Sequence, residues 1–252
     1  MIERREAIKK FIEERGEVSI GELAASFNNW SEMTLRRDLA YLEQTKAIIL
    51  TRGGARKMPY RYGLLEDVYS EREQRNSYAK QLIGRRAASL VESGKGIFID
   101  CGTTAMALAR NLPDCHLVVI TNAPNIALEI SMNKEKPSVV LLGGTLSRKE
   151  ISVVDPALPE QLEKLNIDTA FMAASAFDEK CGFTVGSQLG AAAKQAVMRR
   201  AKRVVMMLDS SKAGERLPFT FASVRDVDVL VTDDGIDPEV KNFLQTHIET
   251  VI

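Results

Sequence analysis

Residues 31–43, SEMTLRRDLAYLE, carry the pattern that decides the fold of the first part of the chain. Ser31 is suited to cap the start of a helix, and Trp30 can pack as a hydrophobic staple against the first turns. One face of that helix carries a leucine at nearly every turn, at Leu35, Leu39 and Leu42. The stretch therefore predicts an amphipathic helix with one buried stripe.

The opposite face of this helix carries groups that suit the major groove of DNA. It presents an apolar side chain, a hydroxyl and two guanidinium groups, at Met33, Thr34, Arg36 and Arg37. Arginine can read guanine or neutralise phosphate, and Thr or Met can contact a thymine methyl group. Ser31 and Thr34 also suit a phosphate at a helix start. The pattern alone leaves an ordinary surface helix with a basic face as an equal alternative.

A second helix start lies about twelve residues upstream, in VSIGEL (18–23). Ser19 can cap this helix, with Glu22 completing a capping box. An earlier helix carries its own apolar stripe, and the three stripes are predicted to share one core. Downstream, the apolar run 48–50 and the turn Arg52-Gly53-Gly54-Ala55 predict a β-wing. Residues 1–57 are thus predicted to fold as one small helical domain with a β-wing.

Residues 58–75 are charged, mixed in character and punctuated by Pro59 and Gly63, so we predict a linker there. From residue 76 to residue 252 the pattern changes to short apolar runs separated by stretches of helical length. The runs are IFIDCGTT (97–104), LVVITN (117–122), SVVLLGG (138–144), TAFMAAS (169–175), RVVMMLDSSK (203–212) and DVLVTD (228–233). Nearly continuous apolar strands separated by helices predict an α/β domain with a mostly parallel sheet.

Polar residues follow four of these strands, where an open α/β sheet binds ligands. Asp100, Gly102, Thr103 and Thr104 precede a predicted helix that could hold an anion at its N-terminus. The other candidates follow later strands, at Thr121, Asn122, Gly143, Gly144, Arg148, Asp209 and Lys212. Together they predict a pocket for a phosphate and a polyol, although each loop alone is more often a plain connection.

Composition excludes little by itself. Lys+Arg and Asp+Glu are equal at 34 each, and residues 1–57 hold 11 basic and 9 acidic side chains.

The three cysteines show no CxxC spacing, which indicates a reducing cytosol without a disulfide framework or zinc site. Neither histidine has a metal-ligand neighbour, and we expect no cofactor. No apolar run approaches the roughly 20 residues of a membrane helix, so we expect a cytoplasmic protein without a membrane partner.

The segment SEMTLRRDLAYLE, with the preceding ERREAIKKFIEERGEVSIGELAASF and the following TRGGA, resembles the DNA-binding signature of the DeoR family of transcription regulators. The resemblance implies a winged helix-turn-helix that binds operator DNA through Ser31, Glu32, Met33, Thr34, Arg36, Arg37 and Arg52. The chain departs from the family by one additional residue in the turn Phe27–Ser31. We expect the turn to absorb it.

The motifs IDCGTTA, ITN, LLGGTLSRK and LDSSKAG resemble, in that order, the sensor domain of the same family. The resemblance implies a fold similar to ribose-5-phosphate isomerase and a phosphorylated sugar as effector. It also adds Lys194 to the effector-site candidates. Where relatives commonly carry a glutamate four residues before this lysine, the chain has Gly190, so the identity of the effector does not carry over.

These features favour an effector-controlled DNA-binding regulator, a repressor of a sugar-uptake or sugar-catabolism operon, without catalysis. Paired half-sites in operators imply a homo-oligomer, either a dimer or a tetramer. The alternative is a sugar-phosphate isomerase or deaminase with an accessory DNA-binding domain, in which Lys194, Asp209 and Lys212 would transfer protons. A structural or protein-interaction module would leave the groove-facing groups of the Arg36–Arg37 helix unexplained.

Overall fold

A computed structural model describes residues 2–44, 47–57 and 69–252. The chain divides into two compact units, residues 1–61 and 62–252. The division falls inside the predicted linker 58–75. Residues 58–68 of that linker lie outside the described residues, and its last part contains a short helix at Tyr69–Gln74.

The first unit is a winged helix-turn-helix. In chain order its elements are α1 (Ile2–Arg15), β1 (Glu17–Ser19), α2 (Ile20–Ser26), α3 (Glu32–Gln44), β2 (Ile48–Thr51) and β3 (Gly54–Lys57). The strands form an antiparallel sheet in the order β1-β3-β2. Gly54 is required in it, because a Cβ there would lie 2.1 Å from the carbonyl oxygen of Val18.

The predicted apolar stripes of the first unit meet in one core. Its fully buried members come from all three helices and from the wing: Ile8, Ile12, Val18, Leu23, Leu35, Leu39, Leu42, Ile48 and Ala55. Burial of such side chains contributes about 25 cal/mol per Å² of apolar surface. The leucine stripe of α3 therefore fixes which face of that helix remains exposed.

The second unit is an α/β domain. In chain order its elements are α4 (Tyr69–Gln74), α5 (Ser77–Ala88), β4 (Gly96–Ile99), α6 (Thr103–Asn111), β5 (Val118–Thr121), α7 (Pro124–Asn133), β6 (Ser138–Leu141), β7 (Thr145–Ser147), β8 (Ser152–Val154), α8 (Leu158–Leu162), β9 (Ile167–Ala173), β10 (Ala176–Asp178), β11 (Gly182–Val185), α9 (Gln188–Arg200), β12 (Ala201–Leu208), β13 (Phe219–Ala222), β14 (Val229–Thr232), α10 (Pro238–His247) and β15 (Thr250–Val251).

Seven parallel strands form the main sheet, in the order β15-β14-β12-β9-β4-β5-β6. The six apolar runs of the sequence supply six of these strands, which confirms the predicted fold class. The chain moves outward from β4 through β5 to β6 and then returns to β9, on the other side of β4. The order of the strands therefore reverses between β4 and β9, where open α/β sheets form ligand crevices.

Helices cover both faces of this sheet. On one face α5, α6 and α7 pack onto it through residues such as Ile83, Leu108 and Ile126. On the other face α8, α9 and α10 form a second core with residues such as Phe98 and Met206. Near-continuous apolar strands are the consequence of burial on both faces.

Two small antiparallel sheets were not predicted from the sequence. One is three-stranded, in the order β10-β11-β13, and the other is the hairpin β7-β8. Each of these strands has only three or four residues, which is too short for a clear alternating pattern. None of the helices in the described ranges is long and apolar enough to cross a membrane.

Candidate functional site

The exposed face of α3 is the candidate DNA-binding surface. Its start is capped by Ser31, whose hydroxyl accepts the N–H of Thr34 at 3.3 Å. Met33 is 70% exposed, and Arg37 is exposed with no ion-pair partner among the described residues. Arg36 donates to Glu32 at 2.6 Å, an exposed pair one helical turn apart. Arg52 is exposed in the turn of the wing. Thr34 is half-buried.

Asp38 is a positioning residue of α3 that the sequence did not reveal. It lies on the inner side of the recognition helix and is 0% exposed. Arg4 and Arg5 of α1 donate to its two oxygens, Arg5 at 2.9 Å. Burial opposes ionisation, but these hydrogen bonds hold the pKa of Asp38 below its ordinary value. The arginines of the segment ERRE thus fix the orientation of α3.

The additional residue in the turn Phe27–Ser31 does not remove either helix start. Ser19 and Glu22 form the predicted capping box of α2. Trp30 donates its N–H to the carbonyl of Phe27 at 3.1 Å, and the two rings stack with centroids 5.5 Å apart. The turn is therefore closed by its own contacts.

In the second unit, Asp100 and Lys194 meet at the point where the strand order reverses. Asp100 ends β4 and is ion-paired with Lys194 of α9. Its carboxylate also accepts the N–H of Cys101 at 2.8 Å and that of Ala173, at the end of β9, at 2.9 Å. Lys194 donates in addition to the carbonyl of Ala173 at 2.9 Å. Two residues that are 94 positions apart in sequence thus form one buried charged centre.

Beside this centre the N-terminus of α6 is open to an anion. Gly102 is its N-cap, with φ at +107°, and no side chain caps the helix. The first backbone N–H groups of a helix have no partner within the helix. The hydroxyls of Thr103 and Thr104 lie at the same end. This arrangement can bind a phosphate through backbone N–H groups and the helix dipole.

The loops after β5 and β6 have mainly structural contacts. The hydroxyl of Thr121 accepts the N–H of Ala123 at 3.1 Å, and the amide of Asn122 donates to the carbonyl of Val153 at 3.3 Å. The side-chain oxygen of Asn122 is buried and has no hydrogen-bond partner in the described part of the chain. Such an acceptor is suited to a ligand hydroxyl, since an unsatisfied buried polar atom is costly.

The next three candidates lie around the β7-β8 hairpin. Gly144 has a φ of +138°, and a Cβ there would lie 2.8 Å from Val153, so it serves the turn into β7. The N–H of Gly143 donates to Gln161 at 3.3 Å. Arg148 is exposed between β7 and β8. The structure brings none of these three side chains into contact with Asp100.

The loop after β12 holds the last two candidates. Asp209 is 2% exposed, and one of its carboxylate oxygens accepts hydrogen bonds from Asn76 at 3.3 Å and from Ser211. Lys212 ends a 3₁₀ turn and its N–H donates to the carbonyl of Asp209 at 2.9 Å. Asn76 was not among the residues predicted from the sequence.

Gly190 lies in the first turn of α9, three residues after the N-cap Ser187. Its N–H donates to the hydroxyl of Ser187 at 3.2 Å. A glutamate at this position could complete a capping box. The carboxylate common in relatives therefore has a structural explanation as well as a ligand-binding one.

Cys101 does not have the environment of a reactive thiol. Loss of hydration raises its pKa to about 12, and the neighbouring Asp100 carboxylate acts in the same direction. The thiolate is the reactive form of cysteine, and here it is disfavoured. Cys101 is thus a packing residue of the phosphate loop.

A winged helix-turn-helix with an exposed basic face and an α/β unit with a buried charged centre beside an uncapped helix start together define a DNA-binding transcription regulator with a ligand-sensing domain. Residues 4–58 match the DeoR-like helix-turn-helix domain, and residues 75–234 match the DeoR C-terminal sensor domain. The chain belongs to the DeoR family of transcription regulators.

Relatives match over nearly the whole chain. The uncharacterised regulator YulB of Bacillus subtilis is 36% identical, covering 94% of this chain and 90% of its own. The regulator GlpR of Haloferax volcanii is 32% identical, covering 99% and 96%. The repressor GlcR of Bacillus subtilis is 32% identical, covering 92% and 88%.

Among solved structures, ribose 5-phosphate isomerase A of Methanocaldococcus jannaschii is 18% identical, with a TM-score of 0.41 over 56% of each chain.

Proposed function

We propose that this regulator represses an operon for sugar uptake or catabolism, and that a phosphorylated sugar bound to its sensor domain controls its affinity for operator DNA. The observation that carries the proposal is the open N-terminus of α6 at Gly102, next to the Asp100–Lys194 centre. An anion site beside polar side chains at a strand-order reversal suits a ligand with one phosphate and several hydroxyls. One of the relatives, GlcR, is named a repressor.

The effector site combines three groups of residues. Gly102, Thr103 and Thr104 bind the phosphate at the start of α6. Asn122, Lys194 and Asp209 supply buried polar groups for the sugar, and the ammonium of Lys212 balances the phosphate charge. Thr121, Gly143, Gly144 and Arg148 shape the neighbouring loops.

The same contacts favour binding over catalysis. The ammonium of Lys194 already donates to the carboxylate of Asp100 and to the carbonyl of Ala173. A general acid or base needs a group that is free to exchange a proton with the substrate. We therefore expect no turnover when the protein is incubated with ribose 5-phosphate or fructose phosphates. Turnover at ordinary enzyme rates would contradict this.

The DNA-binding part of the proposal is tested by Arg37→Ala. We expect specific affinity for DNA from upstream of its own operon to fall about 10- to 100-fold, because a base contact is worth roughly 1–3 kcal/mol. Fluorescence anisotropy with labelled duplexes measures this. Lys10→Ala, which removes an exposed charge from α1, is the control. Equal loss in both variants would show that only net charge matters.

The sensor part is tested by Thr103→Ala and Lys212→Ala. Both variants should bind operator DNA as the wild type does and respond less to the effector. A thermal-shift screen of sugar phosphates identifies the effector first, because a ligand that binds the folded state raises its stability. Unchanged effector sensitivity in both variants would remove these residues from the site.

Paired half-sites require at least two copies of the chain, so the protein is proposed to act in the cytoplasm as a dimer or tetramer. Strand β6 forms an edge of the main sheet as described, and α7 packs beside it. This edge carries exposed apolar side chains at Leu128, Met132, Val140 and Leu141. Such a patch suits a second copy of the chain. Sedimentation of Leu141→Lys should show weakened association, whereas an unchanged assembly would place the interface elsewhere.

A further inference from the structure

The corner between α4 and α5, residues 69–80, contacts the effector site although no sequence motif pointed to it. The N–H of Tyr69 donates to the carbonyl of Lys149 at 3.0 Å, and Asn76 reaches the loop after β12. We call residues 69–80 the α4–α5 corner. In sequence it lies near the start of the second unit, residues 62–252.

Asn76 has an unusual backbone and an unusual use of its side chain. Its φ is +50°, in the left-handed region, where a residue other than glycine is uncommon. It precedes α5, yet its side chain does not cap that helix. Instead the amide N–H₂ donates to Asp209 at 3.3 Å and to the hydroxyl of Ser211 at 2.7 Å. The side chain is therefore committed to the loop after β12.

These contacts leave two acceptors available. Asn76 and Ser211 both donate to the same carboxylate oxygen of Asp209. The other oxygen of Asp209 and the side-chain oxygen of Asn76 accept no hydrogen bond in residues 2–44, 47–57 and 69–252. Asp209 is 2% exposed, whereas Asn76 is exposed. A carboxylate oxygen and an amide oxygen that accept no bond within the described residues can each accept one from a ligand hydroxyl. Two neighbouring acceptors match a pair of adjacent hydroxyls.

Lys80 holds the corner in this position. It is 5% exposed, and its ammonium donates to the carbonyls of Arg72 and Arg75, the latter at 2.7 Å. These bonds satisfy carbonyl groups at the end of α4, which otherwise lack partners. Lys80 also interacts electrostatically with Asp209. The corner and the loop after β12 are thus joined by Asn76 and by Lys80.

We propose that Asn76 is an effector-binding residue: with Asp209 it accepts hydrogen bonds from a vicinal diol of the sugar, while the phosphate occupies the start of α6. This inference rests on the proposed function and specifies which residues recognise the sugar hydroxyls of the effector. It also places one effector contact in the α4–α5 corner, eight residues beyond residue 68. A ligand held there restrains the part of the sensor domain that leads into the DNA-binding unit.

The test uses the full chain and isothermal titration calorimetry with two kinds of probe. Ribose 5-phosphate, fructose 1-phosphate and fructose 6-phosphate carry both phosphate and diol, whereas inorganic phosphate carries only the anion. The variant is Asn76→Gly, because glycine adopts the left-handed backbone freely and only the amide is lost. Thr103→Ala is the matched variant at the phosphate end.

We expect Asn76→Gly to lower the affinity for whichever sugar phosphate binds the wild type by about tenfold, which corresponds to roughly 1.4 kcal/mol. Its affinity for inorganic phosphate should not change. A variant that failed to fold would instead lose affinity for both ligands. Thr103→Ala should weaken both probes. If Asn76→Gly binds the sugar phosphate like the wild type, the inference is wrong and the proposed function stands. If the wild type binds no sugar phosphate, both fail.

Discussion

Each unit of the protein contains a buried carboxylate that accepts hydrogen bonds from at least one cationic side chain of a helix, and the two have different surroundings. Asp38 in the first unit is held by two arginine side chains from another helix. Asp100 in the second unit is held by Lys194 and two backbone N–H groups, at the reversal of the strand order. The contacts of Asp38 attach α3 to α1 and leave the basic face of α3 exposed. The Asp100–Lys194 pair lies within the candidate site.

The comparison shows that a buried ion pair does not by itself mark a functional site. Its location relative to the candidate site has to be known as well. Around Asp38, the charges join α1 to α3, and the groups that could contact DNA lie on the opposite face. Around Asp100, the charges are adjacent to the open helix start at Gly102. Buried ion pairs often add little net stability compared with apolar residues, but removing one member is costly. Substitutions can therefore separate the two roles.

The largest effect is expected for Asp38→Asn. The two arginines lose the negative charge between them and one of its two acceptor oxygens, so the free energy of unfolding of the first unit should fall by about 3 kcal/mol. DNA binding should fall with it, because α3 loses its attachment to α1. Chemical denaturation followed by circular dichroism measures the change. Glu32→Gln, in the exposed pair with Arg36, should cost less than about 1 kcal/mol. Similar losses in both variants would contradict the structural role of Asp38.

A smaller effect, confined to the second unit, is expected for Gly102→Ala. A Cβ at Gly102 would meet nothing within 4 Å, so the cost comes only from the φ of +107°. Backbone strain of this kind is worth about 2 kcal/mol. Gly143→Ala is the matched control, because its Cβ also meets nothing within 4 Å and its φ is ordinary. Equal thermal stability of the two variants would show that the α6 start is not strained.

The effects of pH are the smallest when they are counted per pH unit, and they have opposite origins in the two units. The pKa of Asp38 is lowered, so its stabilising contribution is present above the unfolded pKa and is lost as pH falls through the folded one. Burial lowers the pKa of Lys80 from 10.5 to about 8, so the unfolded chain binds more protons between these values. The stability of the second unit should rise with pH in that window.

The contribution of Lys80 to this rise is on the order of 1 kcal/mol per pH unit. Hydrogen exchange measured by mass spectrometry reports on the two units separately. Lys80→Met should remove the rise in the second unit without changing the first. A slope that persists in this variant would assign the effect to other groups.

The sequence predicted what depends on local pattern. The caps at Ser19 and Ser31, the leucine stripe of α3 and the six apolar strands are each encoded within about ten residues, and the structure has them all. The strands β10, β11 and β13 were missed, because each has only three or four residues, and the pairing of β11 with β13 joins segments far apart in sequence.

The same distinction explains which site residues were found. Gly102, Thr103 and Thr104 follow a strand directly, so a motif reveals them. Asn76 lies 133 residues from Asp209 and resembles an ordinary turn residue in sequence. Arg4 and Arg5 likewise look like ordinary surface charges in the sequence, because their contacts with Asp38 form only in the folded structure. Contacts of this kind depend on tertiary structure, and a single sequence carries no local sign of them.

Gly190 gives the sensor domain a simple route to a new specificity. A Cβ there would meet only Ser187, at 3.5 and 3.6 Å, which is ordinary contact. Glycine also forms helices poorly, by about 1 kcal/mol relative to alanine. A glutamate at this position would therefore come without a packing penalty and with a gain in helix stability. A single substitution can therefore add a carboxylate four residues before Lys194, and the fold does not first have to be repaired to receive it.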